Sequence, residues 1–228
     1  MSRGPTIILD EADIRIPGDL LDLQAFRRWT RTDAFPEKGR IDWIDGEVEV
    51  DMSPENLNGH ASPKMAIAGA LWAIVDAREL GVAYTDSTRL CSVEANLSAE
   101  PDVIVLLYAS LEAGRARLVP SAGGGEGQYV EIEGAADLVV ECVSDSSEKK
   151  DKERLFERYF LAGVREYWLC DARRGAPVLR VHRRSKHGFR QQPMDSEGYA
   201  RSGVLGLAVR LVALPPRLGT VKYRLETR

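Results

Sequence analysis

Residues 137–143, Asp-Leu-Val-Val-Glu-Cys-Val, and residues 166–171, Glu-Tyr-Trp-Leu-Cys-Asp, are two apolar segments on either side of a charged stretch. Neither segment alternates regularly with polar residues, which is typical of strands that are buried on both faces. The charged stretch, residues 147–162, carries apolar side chains at helical spacing, so we expect a helix there. A strand, a helix and a second strand in this order predict a crossover unit with parallel strands.

The segments around this unit predict further strands and helices. Residues 102–107 form another apolar run and predict a buried strand. Residues 40–51 alternate on both sides of Asp45-Gly46, which predicts a hairpin because both turn positions need positive φ. The remaining predictions are helices over residues 20–32 and 62–80, strands over 82–85, 88–94, 129–132 and 207–214, and a second hairpin built from 177–182 and 189–193. Together they predict one α/β domain over residues 1–228, with a mixed sheet and helices on its faces.

The composition is that of a globular protein. Of the 228 residues, 44% are apolar and 29% are charged. No apolar run approaches the roughly 20 residues that span a bilayer, and residues 1–13 lack the pattern of a signal peptide. Cys91, Cys142 and Cys170 lack metal-ligand spacing, so we expect buried free thiols in a reducing cytoplasm. The net charge of −4 argues against a generally basic coat protein but permits a local basic surface.

Two carboxylates stand at the apolar strands. Asp102 opens the strand over residues 102–107, and Glu141 interrupts the apolar run of residues 137–143, where an unpaired carboxylate is costly. On adjacent strands two such acids can chelate a hard cation such as Mg²⁺, which prefers oxygen ligands. Two structural alternatives remain open. Asp102 can be a turn or cap residue, and Glu141 can point outward from an edge strand.

Lysines at the start of the helix over residues 147–162 are candidates to hold a water molecule or a phosphate as point charges. At 100° per residue, Lys152 falls on the apolar face that Leu155 and Tyr159 define, whereas Lys150 points away and Lys149 lies near the margin. Lys152 is therefore the lysine predicted to reach inward. Its structural alternative is a snorkelling side chain that covers the edge of the core.

Several short motifs occur together in this chain. They are Ile44-Asp-Gly-Glu47, His60, Pro101-Asp-Val-Ile-Val105, Asp137-Leu-Val-Val-Glu-Cys-Val-Ser-Asp-Ser146, Asp151, Tyr159, Ala162-Gly-Val164 and Glu166-Tyr-Trp-Leu-Cys-Asp171. In this combination the sequence resembles the Uma-type restriction endonucleases of the PD-(D/E)XK nuclease superfamily. The resemblance runs from about residue 20 to residue 214 and implies a restriction-endonuclease-like core. It also implies a metal-dependent phosphodiesterase, with Asp102, Glu141 and the backbone carbonyl of Cys142 as ligands of Mg²⁺ or Mn²⁺.

The chain departs from the superfamily pattern at Val143, because a lysine normally stands there, two residues after the glutamate. The family resembled here moves the lysine to the following helix, where its aligned place is Leu155. Lys152 lies one turn earlier on the same predicted face, so we expect it to substitute. Glu47 completes the acidic cluster on this resemblance, or is simply an exposed strand residue. His60 orients Glu47 or a water molecule, or merely caps a helix.

A basic hairpin is predicted near the C-terminal end of the chain. Its cationic residues could neutralise several phosphates without reading sequence, or could protect an edge strand from pairing. They are Arg180, Arg183, Arg184, Lys186 and Arg190.

The leading hypothesis is an endonuclease that uses Mg²⁺ or Mn²⁺ to hydrolyse phosphodiester bonds in DNA, without a covalent enzyme intermediate. We expect it in the cytoplasm, away from membranes. A homodimer is expected because duplex cleavage needs two active sites or two visits, and an exposed Trp43 hairpin could form the contact. The alternative is a catalytically weak or inactive nuclease-fold module that binds nucleic acid or protein, motivated by Val143 and the acidic charge. An unrelated hydrolase fits less well, because neither a Gly-x-Ser-x-Gly elbow nor a Gly-x-x-x-x-Gly-Lys phosphate loop is present.

Overall fold

In the computed structural model, which describes residues 7–9, 14–123 and 125–228, the chain forms four sheets flanked by short helices. The α-helices are α1 (Leu23–Thr30), α2 (Ser62–Ala77), α3 (Tyr108–Glu112) and α4 (Leu155–Leu161), and π-helical turns at Leu57–Ala61 and Lys150–Arg154 lead directly into α2 and α4. The strands are β1 (Ile7–Leu9), β2 (Ile14–Ile16), β3 (Arg40–Ile44), β4 (Glu47–Asp51), β5 (Gly81–Thr85), β6 (Arg89–Ser92), β7 (Leu97–Ala99), β8 (Val103–Leu107), β9 (Ala116–Pro120), β10 (Tyr129–Gly134), β11 (Leu138–Cys142), β12 (Glu166–Asp171), β13 (Val178–Ser185), β14 (Gly188–Gln191), β15 (Ala200–Arg201), β16 (Ala208–Ala213) and β17 (Tyr223–Thr227).

The central sheet has six strands in the order β14-β13-β12-β11-β8-β5. Strands β11 and β12 are parallel and are connected through α4, as the crossover prediction requires, while the other neighbours in this sheet are antiparallel. A second six-stranded sheet, β4-β3-β7-β6-β10-β9, is also mixed, because β6 and β10 run parallel. The structure therefore confirms the predicted fold class, a mixed α/β fold with flanking helices and hairpins.

Both faces of the central sheet are covered, so its strands are apolar on both sides. Leu138, Val140 and Cys142 of β11 face a core formed with α2 and the small sheet of β15–β17. Val139 and Val143 face the opposite core, formed with α4 and the second sheet. Because side chains alternate along a strand, Glu141 also faces this second core, toward α4.

The predicted hairpin at Asp45-Gly46 is confirmed. Asp45 has φ 54° and Gly46 has φ 91°, the left-handed values that a two-residue hairpin turn requires. The expectation that this hairpin exposes Trp43 is wrong. Trp43 is 3% exposed, and its indole N–H donates to Asn96 at 2.8 Å. Because Trp43 is part of a buried cluster with Phe26, it is not available for contact with a second chain.

The three cysteines are buried and free, as predicted. Within the described ranges, no helix combines the length and the apolar character needed to cross a membrane.

Candidate active site

Asp102 and Glu141 lie at the same end of two neighbouring antiparallel strands, β8 and β11. Asp102 directly precedes β8, and Glu141 follows the residue of β11 that pairs with Val103. The Asp102 carboxylate accepts a hydrogen bond from the backbone N–H of Cys142 at 2.7 Å. The backbone N–H of Asp102 in turn donates to Glu141 at 3.4 Å. The strand pairing therefore holds these two predicted acids together, and both are buried, at 0% and 1% exposure.

The two acids have opposite pKa shifts because they share one buried site. Burial opposes the ionisation of Asp102, but the hydrogen bond with His60 and the charge of Arg40 outweigh it and hold the pKa of Asp102 well below its ordinary value. Burial and the charge of Asp102 together raise the pKa of Glu141 well above its ordinary value. The pair therefore favours one proton or one added cation between its carboxylates.

Arg40, the first residue of β3, contacts both acids. Its guanidinium lies 2.6 Å from Asp102 and 3.9 Å from Glu141. Arg40 was not predicted as a site residue, because at the start of a hairpin an arginine looks like an ordinary surface residue. Its side chain occupies the position from which a cation reaches both carboxylates, so a metal ion that binds both acids must displace it.

His60 lies in the π-helical turn before α2 and is 6% exposed. Its Nε2 is 3.5 Å from Asp102, and its Nδ1 is 3.6 Å from Glu55. Burial opposes protonation, but the hydrogen bond and the charge of Asp102 raise the pKa of His60. From the other side, the hydroxyl of Tyr159 in α4 donates to Glu141 at 2.7 Å. His60 therefore lies beside one acid and Tyr159 beside the other.

Glu47 lies away from this cluster. Its side chain is 73% exposed and forms an ion pair with Arg154 at 2.8 Å. Arg40 pairs with Asp51 at one end of the β3–β4 hairpin, whereas Glu47 pairs with Ile44 at the turn end. Four strand positions separate the two ends, which is roughly 13 Å. The structure thus does not bring Glu47 to the acids, nor His60 to Glu47.

The lysine that reaches inward is Lys150. It is 5% exposed, and its ammonium lies 3.5 Å from Asp42 and 3.7 Å from Glu49. Burial opposes its charge, but the carboxylate of Asp42 and then that of Glu141 raise the pKa of Lys150. Lys150 therefore places a buried ammonium on the inner side of this segment, where Asp42 and Glu49 are its ion-pair partners.

The predicted orientation of Lys152 is wrong. Its side chain is 34% exposed and pairs with Glu148 at 2.5 Å and Asp171 at 3.7 Å, rather than with the buried acids. The reason is the π-helical turn at Lys150–Arg154, whose hydrogen bonds span five residues instead of four. The rotation of 100° per residue that holds for α4 does not extend back through this turn. As a result, Lys150 rather than Lys152 points inward.

Asp151 is a further buried acid on the same segment as Lys150. In the sequence it appeared only as one residue of the family motifs. It is 1% exposed and accepts a hydrogen bond from the hydroxyl of Ser147. Its other oxygen, Oδ1, is buried and has no hydrogen-bond partner among the described residues. Burial raises the pKa of Asp151 to about 7, and the charge of Asp102 contributes.

The oxygen atoms at this site are of the kind that Mg²⁺ and Mn²⁺ prefer. They belong to the carboxylates of Asp102 and Glu141 and to the backbone carbonyl of Cys142. That carbonyl faces Asp102, because the N–H and C=O of one strand residue point to the same neighbour. In the part of the chain that the structure describes, no three acidic, histidine or cysteine side chains already surround one point. The donors fit a divalent ion that takes two carboxylates and keeps several waters.

A cleft of about 290 Å³ lies beside this site. Arg40 and His60 line it and stand between the cleft and the buried acids. A neighbouring cleft of about 970 Å³ shares His60 and Ser144 as wall residues. A phosphate in the smaller cleft would therefore meet Arg40 and His60 first.

Replacing Asp151 by asparagine tests whether the pKa of Asp151 is raised in the folded protein. Between pH 3.8 and about 7 the folded protein keeps a proton on Asp151 that the unfolded chain has lost, so the free energy of unfolding falls as pH rises through this range. Asparagine does not titrate. We expect the Asp151→Asn variant to gain about 2–3 kcal/mol relative to the wild type between pH 5 and pH 8, measured by urea unfolding in EDTA.

The matched control for this titration is Asp33→Asn at an exposed position. Its unfolding free energy should follow that of the wild type across the same pH range. Parallel curves for Asp151→Asn and the wild type would show that Asp151 titrates normally.

The predicted basic residues lie on the β13–β14 hairpin at the edge of the central sheet. Arg183, Arg184, Lys186 and Arg190 are exposed, and Arg183 and Arg190 pair across the hairpin. Arg180 is half-buried opposite Leu169. Their role as DNA contacts stays a prediction.

Comparisons with known proteins agree with the observed fold. A family model named Uma2, described as "Putative restriction endonuclease", matches residues 23–215. No curated protein matches the chain. Among solved structures, a crystal structure from Anabaena variabilis ATCC 29413, described as a "putative nuclease belonging to DUF820", is similar with a TM-score of 0.59. The alignment covers 81% of this chain and 90% of that chain at 14% identity, so it shows a shared fold.

Proposed function

Because the chain belongs to the Uma2 family of restriction-endonuclease-like proteins, we propose that it is a metal-dependent nuclease that hydrolyses phosphodiester bonds in DNA. The observation that carries this proposal is the pair of buried acids, Asp102 and Glu141, held together by two paired strands beside an open cleft. Burying two carboxylates is costly unless a cation compensates for them. Their placement therefore supports a site built to bind a cation.

Mg²⁺ or Mn²⁺ is the proposed cofactor. The carboxylates of Asp102 and Glu141 and the carbonyl of Cys142 would hold it, with Asp151 as an additional acid. A bound divalent ion would supply positive charge beside the phosphate and would lower the pKa of water.

The surrounding side chains have distinct proposed roles. The ammonium of Lys150 holds the attacking water or a phosphate oxygen as a point charge, in place of the lysine that Val143 replaces. Tyr159 positions Glu141 through its hydrogen bond, and His60 faces Asp102 at 3.5 Å. In-line attack by the water oxygen forms a new P–O bond as the P–O bond to one sugar oxygen breaks. The proton released by the water ends on that leaving oxygen, and no covalent enzyme intermediate forms.

Arg40 favours a second candidate function. Its guanidinium already contacts both acids, so the site is electrostatically compensated without a metal. The second candidate is therefore a nuclease-fold module with weak or no activity that binds nucleic acid or protein. Its buried acids would need no metal ion, because Arg40 already balances their charge. This candidate predicts that replacing the acids leaves binding intact and that no cleavage is seen.

We further propose that residues 1–228 form one domain and that the protein acts as a homodimer. A single site breaks one strand at a time, so duplex cleavage by one complex needs two sites. Since Trp43 is buried, the contact between subunits must use another surface.

The test of the proposed function is a cleavage assay on supercoiled plasmid and on single-stranded DNA, with Mg²⁺, Mn²⁺ or EDTA. We expect nicking that requires a divalent metal and is lost in Asp102→Asn, which keeps the shape of the side chain and removes its charge. Metal-dependent nicking of equal rate in Asp102→Asn would refute the proposed site. Absence of nicking by the wild type in every condition would favour the second candidate.

A further inference from the structure

A separate basic hollow lies at the opposite end of the central strands. It has a volume of about 410 Å³ and is lined by Arg165, Glu166, Arg183, Arg184, Ser185, Lys186, Gly203 and Val204. Glu166 and Arg183 pair across β12 and β13, and Glu166 is opposite Leu138 of β11. Glu141 is three residues further along β11, about 10 Å away along the strand. The hollow is therefore distinct from the cleft beside the acids.

The carboxylates near this hollow are already engaged. Glu166 is fully buried and accepts hydrogen bonds from Ser202 at 2.5 Å and from the backbone of Gly203 at 2.6 Å. Its distance to Arg183 is 3.9 Å, at the limit of an ion pair. Asp137 is also buried and binds Arg165 at 3.0 Å, as well as Ser110 and a backbone N–H.

The remaining cations lack carboxylate partners in the described structure. The Arg184 guanidinium lies over the ring of Phe160, 4.2 Å from its centroid. Burial and the nearby positive charge of Arg115 lower the pKa of Arg184. Lys186 is exposed in the hairpin turn and forms no ion pair there. Both side chains line the hollow, so an anion bound there would be attracted to two positive charges.

Several arginines elsewhere in the molecule pair closely with carboxylates. Arg27, Arg89 and Arg173, for example, each form close ion pairs with at least one acidic side chain. The hollow differs from these sites because, in the described part of the chain, its cations lie close together with no free carboxylate beside them.

The absence of a side chain at Gly203 leaves room for Arg183. A Cβ atom at this position would lie 2.7 Å from the guanidinium of Arg183, so a larger residue would make the arginine side chain shift. The Arg183 side chain is nevertheless 48% exposed, which leaves its remaining donors available to a ligand. Arg183 lies against the backbone at Gly203, Arg184 lies over the ring of Phe160, and Lys186 lines the same hollow. Their N–H groups can donate together to the oxygens of one phosphate.

We propose that this hollow binds the phosphate backbone of the nucleic acid, as a contact separate from the cleft. This inference rests on the proposed action on DNA. The sequence predicted a basic surface on the hairpin alone. The hollow instead joins Arg183, Arg184 and Lys186 of the hairpin to Arg165 from the segment before β12. Such a contact adds affinity without sequence preference and is weakened by salt.

The experiment measures binding of a fluorescein-labelled 30-base-pair duplex by anisotropy, in EDTA, from 50 to 300 mM NaCl. The test variant carries Arg183→Ala, Arg184→Ala and Lys186→Ala. We expect its Kd at 100 mM NaCl to rise at least about tenfold and the slope of log K against log salt to shrink by about 2–3, since each phosphate contact contributes about 0.9. A variant with Arg183→Lys and Arg184→Lys keeps the charge and should retain most of the slope.

The matched control carries Arg15→Ala, Arg28→Ala and Lys38→Ala, three exposed cations elsewhere that give the same change in net charge. Its Kd should stay within about twofold of the wild type. The inference is overturned if the test variant binds like the wild type, if the control weakens binding equally, or if the wild type does not bind DNA in EDTA. Circular dichroism melting checks that each variant folds. Because the assay contains no metal, a failure of cleavage does not affect its result.

Discussion

The Glu141→Gln variant is expected to cleave DNA at least about 1,000-fold more slowly than the wild type in Mg²⁺, while remaining folded. The substitution removes one of the two proposed anionic ligands, and effects of this size follow when charge that stabilises the transition state is lost. The side-chain carbonyl oxygen of the introduced glutamine can still accept the hydrogen bond from Tyr159, so the packing around it is kept. The measurement is the initial rate of plasmid nicking under saturating metal.

The same variant should be more stable than the wild type in EDTA. Burial and the charge of Asp102 raise the pKa of Glu141, so above its ordinary pKa the folded protein keeps a proton that the unfolded chain has lost, and the free energy of unfolding falls as pH rises. Glutamine removes this cost. We expect an increase of about 1–3 kcal/mol in unfolding free energy at pH 8. A loss of both activity and stability would indicate a structural role for Glu141 instead.

Glu47→Gln is the matched control, since it makes the same chemical change at an exposed acid outside the cluster. Its cleavage rate should stay within about twofold of the wild-type rate. An equal loss in Glu47→Gln and Glu141→Gln would mean that the buried acids have no special role.

The Lys150→Met variant is expected to reduce the cleavage rate about 100-fold, whereas Lys152→Met changes it less than about twofold. Methionine keeps much of the length of the lysine stem and removes the charge, so the loss measures the proposed electrostatic role of the ammonium. The pair of variants separates the two lysines directly, because they lie on the same segment and only Lys150 is buried.

Lys150→Met also leaves Asp42 without its buried partner, which is expected to lower stability by about 2–3 kcal/mol. Rates are therefore compared well below the melting temperature of the variant, and Lys150→Arg restores the charge. Recovery of at least a tenth of the wild-type rate in Lys150→Arg supports the electrostatic role. If Lys152→Met shows the larger loss, the assignment of Lys150 is wrong.

The sequence was sufficient to predict the central crossover. The strand over residues 166–171 has the predicted bounds, and the hairpin at Asp45-Gly46 forms as expected, because apolar continuity and positive-φ turn residues are local signals. Asp102 and Glu141 were also found, since a carboxylate in an apolar strand stands out against its neighbours.

The rest of the site depends on features that local patterns do not contain. The π-helical turn at Lys150–Arg154 changes which lysine faces inward, and periodicity assumes an uninterrupted α-helix. Glu47 and Asp51 lie on the same face of their strand but at opposite ends of it. The alternation of side chains gives the face of a residue, but not how far it lies from the site. Arg40 belongs to the second sheet and reaches Asp102 through a contact between residues 62 positions apart in sequence, which no local pattern contains.

Manganese binding tests the central claim most directly, namely that Asp102 and Glu141 together form a metal site. The free Mn²⁺ signal in electron paramagnetic resonance is titrated with wild type, Glu141→Gln and Glu47→Gln at pH 7.5. The account predicts at least one Mn²⁺ bound per wild-type chain, unchanged binding in Glu47→Gln, and at least about tenfold weaker binding in Glu141→Gln. Equal Mn²⁺ binding by wild type and Glu141→Gln, or no binding by the wild type, would contradict it.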